Sequence, residues 1–252
     1  MERSFSVRVA IFADIHANRE AFEACLRQAR EHGAEHNIFL GDYVGYGADP
    51  EWTVSTVMDL AGRDGIAVRG NHDNAVADLR EDLNVEAQVA MEWTRGELGR
   101  AERRFLEELP LTHTKDARLY VHADASDPKR WRYVTNADEA ARSMMATSAD
   151  ITFCGHVHRP ALYTLSATGK MTAFTPVTGS AIQLLPRRRW LAVLGSVGQP
   201  RDGNPAASYA IFDAERLELT YCRAPYDIEA VAAKIRAKGL PTWLADRLSL
   251  GR

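Results

Sequence analysis

The stretch VRGNHD, residues 68–73, carries a short apolar run straight into asparagine, histidine and aspartate. Asparagine and aspartate are common at turns and helix N-caps, and glycine tolerates backbone angles that other residues avoid. On its own, the cluster could do no more than end a strand and begin a helix. Its meaning depends on whether the same pattern recurs elsewhere in the chain.

The composition limits what such a cluster can do. The chain has 252 residues, of which 46% are hydrophobic, enough for a sizeable core, and we expect residues 1–252 to form a single domain. The formal net charge is -3 at pH 7. Because the chain has no overall basic field, nucleic acid and anionic membranes are disfavoured as partners, and so is a nuclease activity.

Three cysteines, Cys25, Cys154 and Cys222, are widely separated and follow no spacing typical of a zinc or redox motif, so we expect them to be buried small hydrophobic residues. The chain enters a strand pattern near its start without a charged and then apolar leader. No stretch approaches the roughly eighteen apolar residues that a membrane span needs. These features predict a cytoplasmic protein with no membrane partner.

The first half of the chain alternates short apolar runs with helical patterns, which is typical of parallel strands joined by helices. The predicted strands are VRVAIF, HNIFL, GIAVRG, RLYVH and ITFCGH, and the predicted helices span residues 17–32, 52–61, 85–106 and 137–147. This rhythm predicts an α/β fold whose first sheet contains these five strands.

From about Ala161 the pattern changes to short alternating runs separated by glycine, proline and aspartate: ALYTL, MTAFTPV, WLAVL, ASYAIFD and LELTYCR. We expect these runs to form a second, largely antiparallel sheet that faces the first. Helical patterns near residues 227–238 and 241–249 close the chain.

Polar side chains stand at the end of each of the five strands predicted in the first half. They are Asp14 and His16, then Asp42, then Asn71, His72 and Asp73, then His122, and finally His156 and His158. In an open α/β sheet the ligand crevice lies beyond the carboxyl ends of the strands. Each cluster has a structural alternative, such as a helix cap at Asp14 or a surface position at His158, but five coincidences are improbable. We therefore expect a ligand site at this edge of the sheet.

The residue types indicate a metal site. Aspartate, histidine and asparagine without cysteine favour Mn, Fe, Zn, Co or Ni over a thiolate-rich structural zinc site. The seven candidate ligands are Asp14, His16, Asp42, Asn71, His122, His156 and His158. They are too many for one tetrahedral ion, but they suit two divalent metal ions that share a carboxylate. Asp42, which has no second ligand in its own cluster, is the natural bridge.

The ordered motifs DIH, GD, GNHD, VH and GHVH, spread over residues 14–158, resemble the calcineurin-like metallophosphoesterase superfamily. The segments LGDYVGYGADP and GSVGQPRDG extend the similarity to about residue 203 and resemble its compact bacterial and archaeal phosphodiesterase branch. The resemblance implies an α/β fold in which two mixed β-sheets pack as a sandwich flanked by helices. It also implies a dinuclear phosphoesterase in which a hydroxide bridging the two ions attacks phosphorus.

The resemblance further implies a role for each polar residue. One ion would be held by Asp14, His16, Asp42 and His158, and the other by Asp42, Asn71, His122 and His156. His72 matches the position that faces the substrate, where it would protonate the leaving group. Asp73 would orient the ring of His72, and Asn71 would also lie near a phosphoryl oxygen.

Two positions depart from the family pattern. Ala123 follows His122 where the family commonly has glycine. Val193 and Leu194 stand where the family often has asparagine and proline. Neither change removes a candidate ligand, so both bear on the substrate pocket and leave the metal site intact.

Three further residues are candidates for substrate contact. Tyr46 could stack on a ring of the substrate or simply pack. Arg159 and Arg201 could pair with a second phosphate, since guanidinium groups match phosphate oxygens, or could form ordinary surface ion pairs. The resemblance implies a small phosphoester substrate: a phosphodiester or phosphomonoester, with cyclic nucleotides and dinucleoside polyphosphates among the nucleotide candidates.

A different class of function is a catalytically silent scaffold that keeps the fold and binds metal. The presence of His72 and Asp73 favours an enzyme, because a scaffold needs no leaving-group acid. The run PRRRW, residues 186–190, is most simply an exposed turn between strands, and a nucleic-acid patch is the minor interpretation.

Overall fold

The computed structural model describes residues 8–81 and 83–252, which contain two six-stranded sheets and eight α-helices. The strands are β1 (Arg8–Phe12), β2 (His36–Phe39), β3 (Ile66–Ala67), β4 (Thr112–Lys115), β5 (Arg118–Val121), β6 (Ile151–Cys154), β7 (Ala161–Ser166), β8 (Met171–Phe174), β9 (Ala181–Gln183), β10 (Arg188–Val193), β11 (Ala207–Asp213) and β12 (Glu218–Ala224). The helices are α1 (Arg19–Glu31), α2 (Pro50–Ala61), α3 (Asn71–Ala77), α4 (Val85–Glu97), α5 (Arg100–Glu108), α6 (Ala137–Met145), α7 (Ile228–Ala237) and α8 (Thr242–Asp246).

Both sheets are mixed. The first has the strand order β3-β2-β1-β11-β12-β9, and the second has the order β4-β5-β6-β10-β7-β8. In the first sheet β1 is parallel to β2 and antiparallel to β11, and in the second β10 is parallel to β6 and antiparallel to β7. The expected α/β class with two mixed sheets flanked by helices is confirmed.

The faces of each strand follow from the alternation of side chains along it. Ile11 of β1 belongs to the apolar cluster between the two sheets, in which Phe153 of β6 and Phe212 of β11 meet with ring centroids 5.4 Å apart. Its neighbour Phe12 points to the other face of the sheet and packs on Phe22 of α1, with the two ring centroids 5.7 Å apart. Each sheet is thereby fixed on the other, and the loops at their ends are set relative to one another.

The expectation that the strands after Ala161 form a separate sheet is wrong. Strands β11 and β12 return to the first sheet beside β1, while β5 and β6 of the first half belong to the second sheet. The alternation of apolar and polar residues determines which face of a strand is buried, but not which strand lies beside it. All seven residues of β11 are buried, which suits a central position in a sheet. The polar strand ends therefore come from both sheets and not from one.

The predicted helix over residues 85–106 is in fact two helices, α4 and α5. Leu98 and Gly99 between them are extended, with ψ angles of 132° and 173°. Apolar residues continue across this break, so periodicity alone does not reveal it. Strands β4 and β9 also escape prediction, because both are short and mostly exposed and lack an apolar alternation.

The cysteines and the helices bear on two expectations drawn from composition. Cys25, Cys154 and Cys222 are buried and free, as expected. Within residues 8–81 and 83–252, no helix combines the length and the apolar character needed to cross a bilayer.

Candidate metal centre

The loops that follow β1, β2, β5 and β6 converge with the start of α3 at one edge of the sandwich. They bring together all seven candidate ligands and His72, each at most 7% exposed: Asp14, His16, Asp42, Asn71, His72, His122, His156 and His158. Side chains from both sheets thus share one buried volume.

The backbone at this edge adopts a conformation that most side chains disfavour. Five of the candidate ligands have a φ between 49° and 68°: Asp14, His16, Asp42, His156 and His158. Left-handed geometry costs a non-glycine residue roughly 1–2 kcal/mol. Because five candidate ligands share this conformation at one edge of the sandwich, the surrounding fold must hold their backbone in it.

Gly70, in the middle of VRGNHD, allows two loops to approach each other. A Cβ at this position would lie 2.2 Å from Oδ1 of Asp42 and 2.4 Å from its main-chain nitrogen. Any larger residue would therefore push the Asp42 loop away from the start of α3.

The first group of ligand atoms comes from Asp14, His16 and His158, whose ligand atoms all lie within 4.8 Å of one another. Nδ1 of His16 lies 3.0 Å from the carbonyl oxygen of Val44, and Nδ1 of His158 lies 2.7 Å from that of Gln199. Each Nδ1 donates its proton to that carbonyl, so each Nε2 carries a free lone pair. The two Nε2 atoms are only 3.2 Å apart, an arrangement that suits a cation between them.

The second group comes from Asp42, His122 and His156. Nε2 of His122 lies 3.1 Å from Nδ1 of His156 and 3.2 Å from Oδ1 of Asn71. Nδ1 of His122 faces the carbonyl oxygen of Leu40 at 2.7 Å, which again leaves Nε2 free to ligate. Two imidazoles and two side-chain oxygens form a donor set that suits a divalent ion of the first transition row or zinc.

Asp42 lies between the two groups. Its Oδ2 is 3.7 Å from Nε2 of His16 in the first group and 3.4 Å from Nε2 of His122 in the second. Its Oδ1 accepts the main-chain N–H of His72 at 2.9 Å, which fixes the orientation of the carboxylate. The side chain that the sequence singles out as a bridge therefore faces both groups.

The electrostatics of the site keep most of its histidines neutral. Burial, reinforced by neighbouring cationic groups, lowers the pKa of His16 and His158 well below its usual range and that of His156 to about 3. Burial tends to raise the pKa of Asp42, but the surrounding imidazoles, His122 first, outweigh it and hold this pKa well below its ordinary value. Neutral imidazole and ionised carboxylate are the forms that bind metal ions.

His72 lies against the first group, and one of its ring nitrogens lies within 4.8 Å of ligand atoms of His16 and Asp42. Its ring centroid is 4.8 Å from that of His16 and 4.6 Å from that of Tyr46. Its Nδ1 is buried and has no hydrogen-bond partner among the residues that the structure describes. Gly45 leaves room beside this atom, since a Cβ there would lie 2.3 Å from it.

The structure corrects the role expected for Asp73. Its carboxylate does not orient His72 but accepts the main-chain N–H groups of Asp42 at 2.8 Å, Tyr43 at 2.9 Å and Gly70 at 2.9 Å. Consecutive residues of a helix point in different directions, so the two side chains at the start of α3 do not face each other. Asp73 instead fastens the loop that carries Asp42 to this helix.

The three tentative substrate residues lie at different distances from the centre. Tyr46 is buried, with its ring centroid 4.5 Å from that of His16, and the guanidinium of Arg201 lies 5.8 Å from the Tyr46 ring centre. Both residues line a small cavity of about 90 Å³ over the candidate ligands. Arg159 is exposed and donates from Nε to the carbonyl oxygen of Arg201 at 2.6 Å, so it lies outside this cavity.

The family departures change the surroundings of the ligands but not the ligands. Ala123, Val193 and Leu194 are all buried apolar residues. The nearby Ser196, which sequence reasoning did not single out, donates from Oγ to the carbonyl oxygen of Asp14 at 2.7 Å and so steadies that loop.

Sequence reasoning also missed two aromatic residues of the loop after β5. The ring of Tyr133 stacks on that of His156, with centroids 4.4 Å apart and planes at 12°. The ring of Trp131 meets that of His122 edge-on, with the two centroids 5.9 Å apart. The available signal was the cluster WRY at residues 131–133, which has neither helical nor strand periodicity and so presents aromatic rings on a loop.

Comparison with known proteins covers nearly the whole chain. The family model of the calcineurin-like phosphoesterase superfamily domain matches residues 7–217. An uncharacterized protein of Methanocaldococcus jannaschii is 34% identical over 252 residues, an alignment that spans 97% of this chain and 98% of that protein.

Two solved structures have the same fold. A metallophosphoesterase from Sphaerobacter thermophilus is 35% identical with a TM-score of 0.87, over 98% of this chain and 100% of that one. A hypothetical protein from Pyrococcus horikoshii OT3 is 20% identical with a TM-score of 0.78, over 98% and 99% of the two chains. The present chain belongs to the calcineurin-like phosphoesterase superfamily and is a metallophosphoesterase, a hydrolase whose buried histidines and aspartates are able to hold metal.

Proposed function

We propose that this enzyme hydrolyses phosphodiester bonds of small substrates with two divalent ions, drawn from Mn, Fe, Zn, Co and Ni. One ion would be held by Asp14, His16, Asp42 and His158, and the other by Asp42, Asn71, His122 and His156. The observation that supports this proposal is the position of Asp42 Oδ2, within 3.7 Å of Nε2 of His16 and 3.4 Å of Nε2 of His122. One oxygen that faces both imidazole groups suits a bridging ligand.

Bound divalent ions supply a water molecule of lowered pKa and neutralise the charge of the phosphoryl group. The chain itself holds the ligand side chains in position. The carbonyl oxygens of Val44, Leu40 and Gln199 fix the tautomers of three histidines, and Asp73 holds the loop of Asp42. Because the ligand atoms are buried, bulk water is largely excluded from the reacting group.

His72 is the residue that we assign to the leaving group. Its main chain is tied to Asp42, which places the ring at the first group, while Nδ1 has no partner among the described residues. An imidazole with an unused nitrogen is able to hydrogen-bond the departing oxygen and to transfer a proton to it. Asn71, one residue earlier, reaches the second group and lies where a phosphoryl oxygen would bind.

Arg201 supports the binding of an anionic substrate. Its guanidinium lies beside Tyr46 at the small cavity, and its Nη2 donates to Oε1 of Gln199 at 2.8 Å. No other arginine of the described residues lines this cavity. A guanidinium in this place favours a phosphate oxygen that the metal ions do not bind.

The proposal is tested by counting metals and measuring turnover in the same preparation. Purified protein should hold two ions per chain by elemental analysis and should cleave a phosphodiester with Mn²⁺ but not with chelator. Asp42→Ala should lose both metal and turnover. The control Asp59→Ala removes an exposed carboxylate that is paired with Arg63, and it should retain both properties.

The panel of substrates separates the alternatives. It contains a phosphodiester, a phosphomonoester, cyclic nucleotides, dinucleoside polyphosphates and single-stranded DNA. Faster cleavage of the monoester than of any diester would overturn the diester assignment. Two bound ions with no turnover on any substrate would support the metal-binding scaffold instead.

A further inference from the structure

A larger pocket of about 560 Å³ opens beside the metal centre. Its walls come from the loop around residue 133, the turn at residues 157–161 and strands β7 and β8. The volume falls within the roughly 300–1,000 Å³ typical of small-molecule sites, whereas the cavity of about 90 Å³ over the ligands lies far below it. A substrate whose phosphoryl group lies at the metals therefore needs other space for its organic part.

The two cavities are adjacent and share part of their lining. Tyr133 and Arg201 line both of them. Val157 stands between the candidate ligands His156 and His158 in the sequence, and it lines the large pocket while they line the small one. A molecule whose phosphoryl group lies at the candidate ligands would therefore have the larger pocket beside it for its organic part.

The pocket presents aromatic surface that the protein itself leaves uncovered. Phe174 on β8 is 45% exposed and Tyr133 is 50% exposed, although one face of the Tyr133 ring covers His156. Tyr163, which is buried, also lines the pocket. Exposed rings that line a pocket next to a reacting centre favour a planar aromatic ligand.

The pocket is also positively charged. Arg159 and Arg201 line it, and no aspartate or glutamate of the described residues does. Within residues 8–81 and 83–252, neither arginine has a carboxylate within ion-pair distance. Nε of Arg201 is buried and has no hydrogen-bond partner in the described part of the chain. A ligand that carries negative charge in addition to a ring would supply what these groups lack.

We propose that this pocket binds the nucleoside part of a nucleotide substrate, with Phe174 and Tyr133 contacting the base and with Arg159 and Arg201 contacting a charged group of the same molecule. The inference rests on the proposed function for the position of the phosphoryl group. It deepens that proposal, because it narrows small phosphoesters to nucleotides and their esters.

Direct binding tests the pocket without turnover. Titration calorimetry with Mn²⁺-loaded protein compares the affinity for adenosine 5′-monophosphate with that for inorganic phosphate. We expect the nucleotide to bind about tenfold more tightly, as one aromatic contact and one additional hydrogen bond would give. Equal affinities for the two anions would overturn the proposal.

Two variants test whether the ring of Phe174 gives rise to the preference for the nucleotide over inorganic phosphate. Phe174→Ser removes a ring that lines the pocket, and it should reduce the preference for the nucleotide by about threefold to tenfold. Val177→Ser changes an exposed side chain on the same segment that does not line the pocket, and it should leave the preference unaltered. A preference that survives Phe174→Ser would place the base elsewhere and overturn the proposal.

Turnover then separates the two proposals. The substrates are the p-nitrophenyl esters of thymidine 5′-phosphate and of methyl phosphate, which share one leaving group. Cleavage of both at equal kcat/KM, with no preference for adenosine 5′-monophosphate, would overturn the pocket and leave the phosphodiesterase standing. Nucleotide preference in binding without cleavage of either ester would support the pocket and overturn the proposed function.

Discussion

The main-chain N–H of His72 donates to Oδ1 of Asp42 at 2.9 Å, so the proposed leaving-group acid and the proposed bridging ligand are joined by one hydrogen bond. The bond uses the backbone of His72 and leaves its ring free. Substitution of the imidazole should therefore affect proton transfer and spare the carboxylate.

His72→Ala should keep two metal ions per chain and lower kcat by about 10²- to 10⁴-fold on a diester with a poor leaving group, because it removes general acid catalysis. The loss should be much smaller on a p-nitrophenyl ester, whose leaving group needs no proton. The measurement is kcat on both esters with metal content determined in parallel. His113→Ala, at an exposed position on β4, is the matched control, and wild-type kcat for the His72 variant on the poor-leaving-group diester would contradict the assignment.

Gly45→Ala should lower kcat by about tenfold or more without loss of metal. The new Cβ would lie 2.3 Å from Nδ1 of His72, and displacement of a catalytic group by about 1 Å can reduce the rate by about 10²-fold. Gly169→Ala is a close control, because the φ angles of the two glycines are +84° and +80°, whereas a Cβ at Gly169 would meet no described atom within 4 Å.

Both glycine variants should lose about 1 kcal/mol of unfolding free energy from the left-handed backbone, and Gly45→Ala should lose more, because its Cβ also displaces the buried His72 ring. Denaturant melts measure that loss, and steady-state kinetics measure kcat. If both variants lost turnover equally, backbone strain and not contact with His72 would explain the effect.

Asp73→Ala should lower the free energy of unfolding by about 3 kcal/mol or more, because three buried main-chain N–H groups lose their acceptor. Asp73→Asn keeps one acceptor oxygen and should lose less. Denaturant unfolding checks both values. The pH dependence of kcat should keep its midpoints in the Asn variant, and a shift of the acid limb would instead restore a direct role for Asp73 in orienting His72.

Metal binding should release protons and strengthen as the pH rises toward 9. Burial lowers the pKa of His122, but the carboxylate of Asp42 outweighs this and raises it to about 9 in the metal-free protein. Since only the neutral ring ligates, the proton must leave below that pH, and the affinity should rise up to about tenfold per pH unit for each proton lost.

Calorimetry of Mn²⁺ binding at about pH 7.5, below the raised pKa of His122, in two buffers with different ionisation enthalpies measures the released protons. His113→Ala should release as many as the wild type, whereas His122→Asn should release fewer. Identical heats in the two buffers would contradict the expected protonation of His122.

The convergence of the candidate ligands could be predicted because each motif is local. Asp14, Asp42 and His122 each follow closely on a buried strand, and the ends of strands in such folds lie near one another. The prediction places all five strands in one sheet, whereas the structure divides them between two sheets whose strand ends meet at the same edge of the sandwich.

The roles that failed depend on relations that residue type does not encode. The alternation of apolar residues does not determine which strand lies beside β11, so sequence reasoning places β11 and β12 in the wrong sheet. Asp73 follows His72 in the sequence, but helical geometry turns its carboxylate toward the backbone of Tyr43 and Gly70. Tyr133 lies on a loop without periodicity, and only the folded chain shows that its ring covers His156.

The origin of the ligands in two sheets has a mechanical consequence. In the first group, Asp14 and His16 follow a strand of the first sheet and His158 follows a strand of the second. In the second group, Asp42 follows a strand of the first sheet, and His122 and His156 follow strands of the second. Each ion would thus act as a cross-link between the two layers of the sandwich, much as a disulfide ties two segments. Loading with metal would then raise the temperature of unfolding, and any sliding of one layer over the other would separate the ligand atoms within each group.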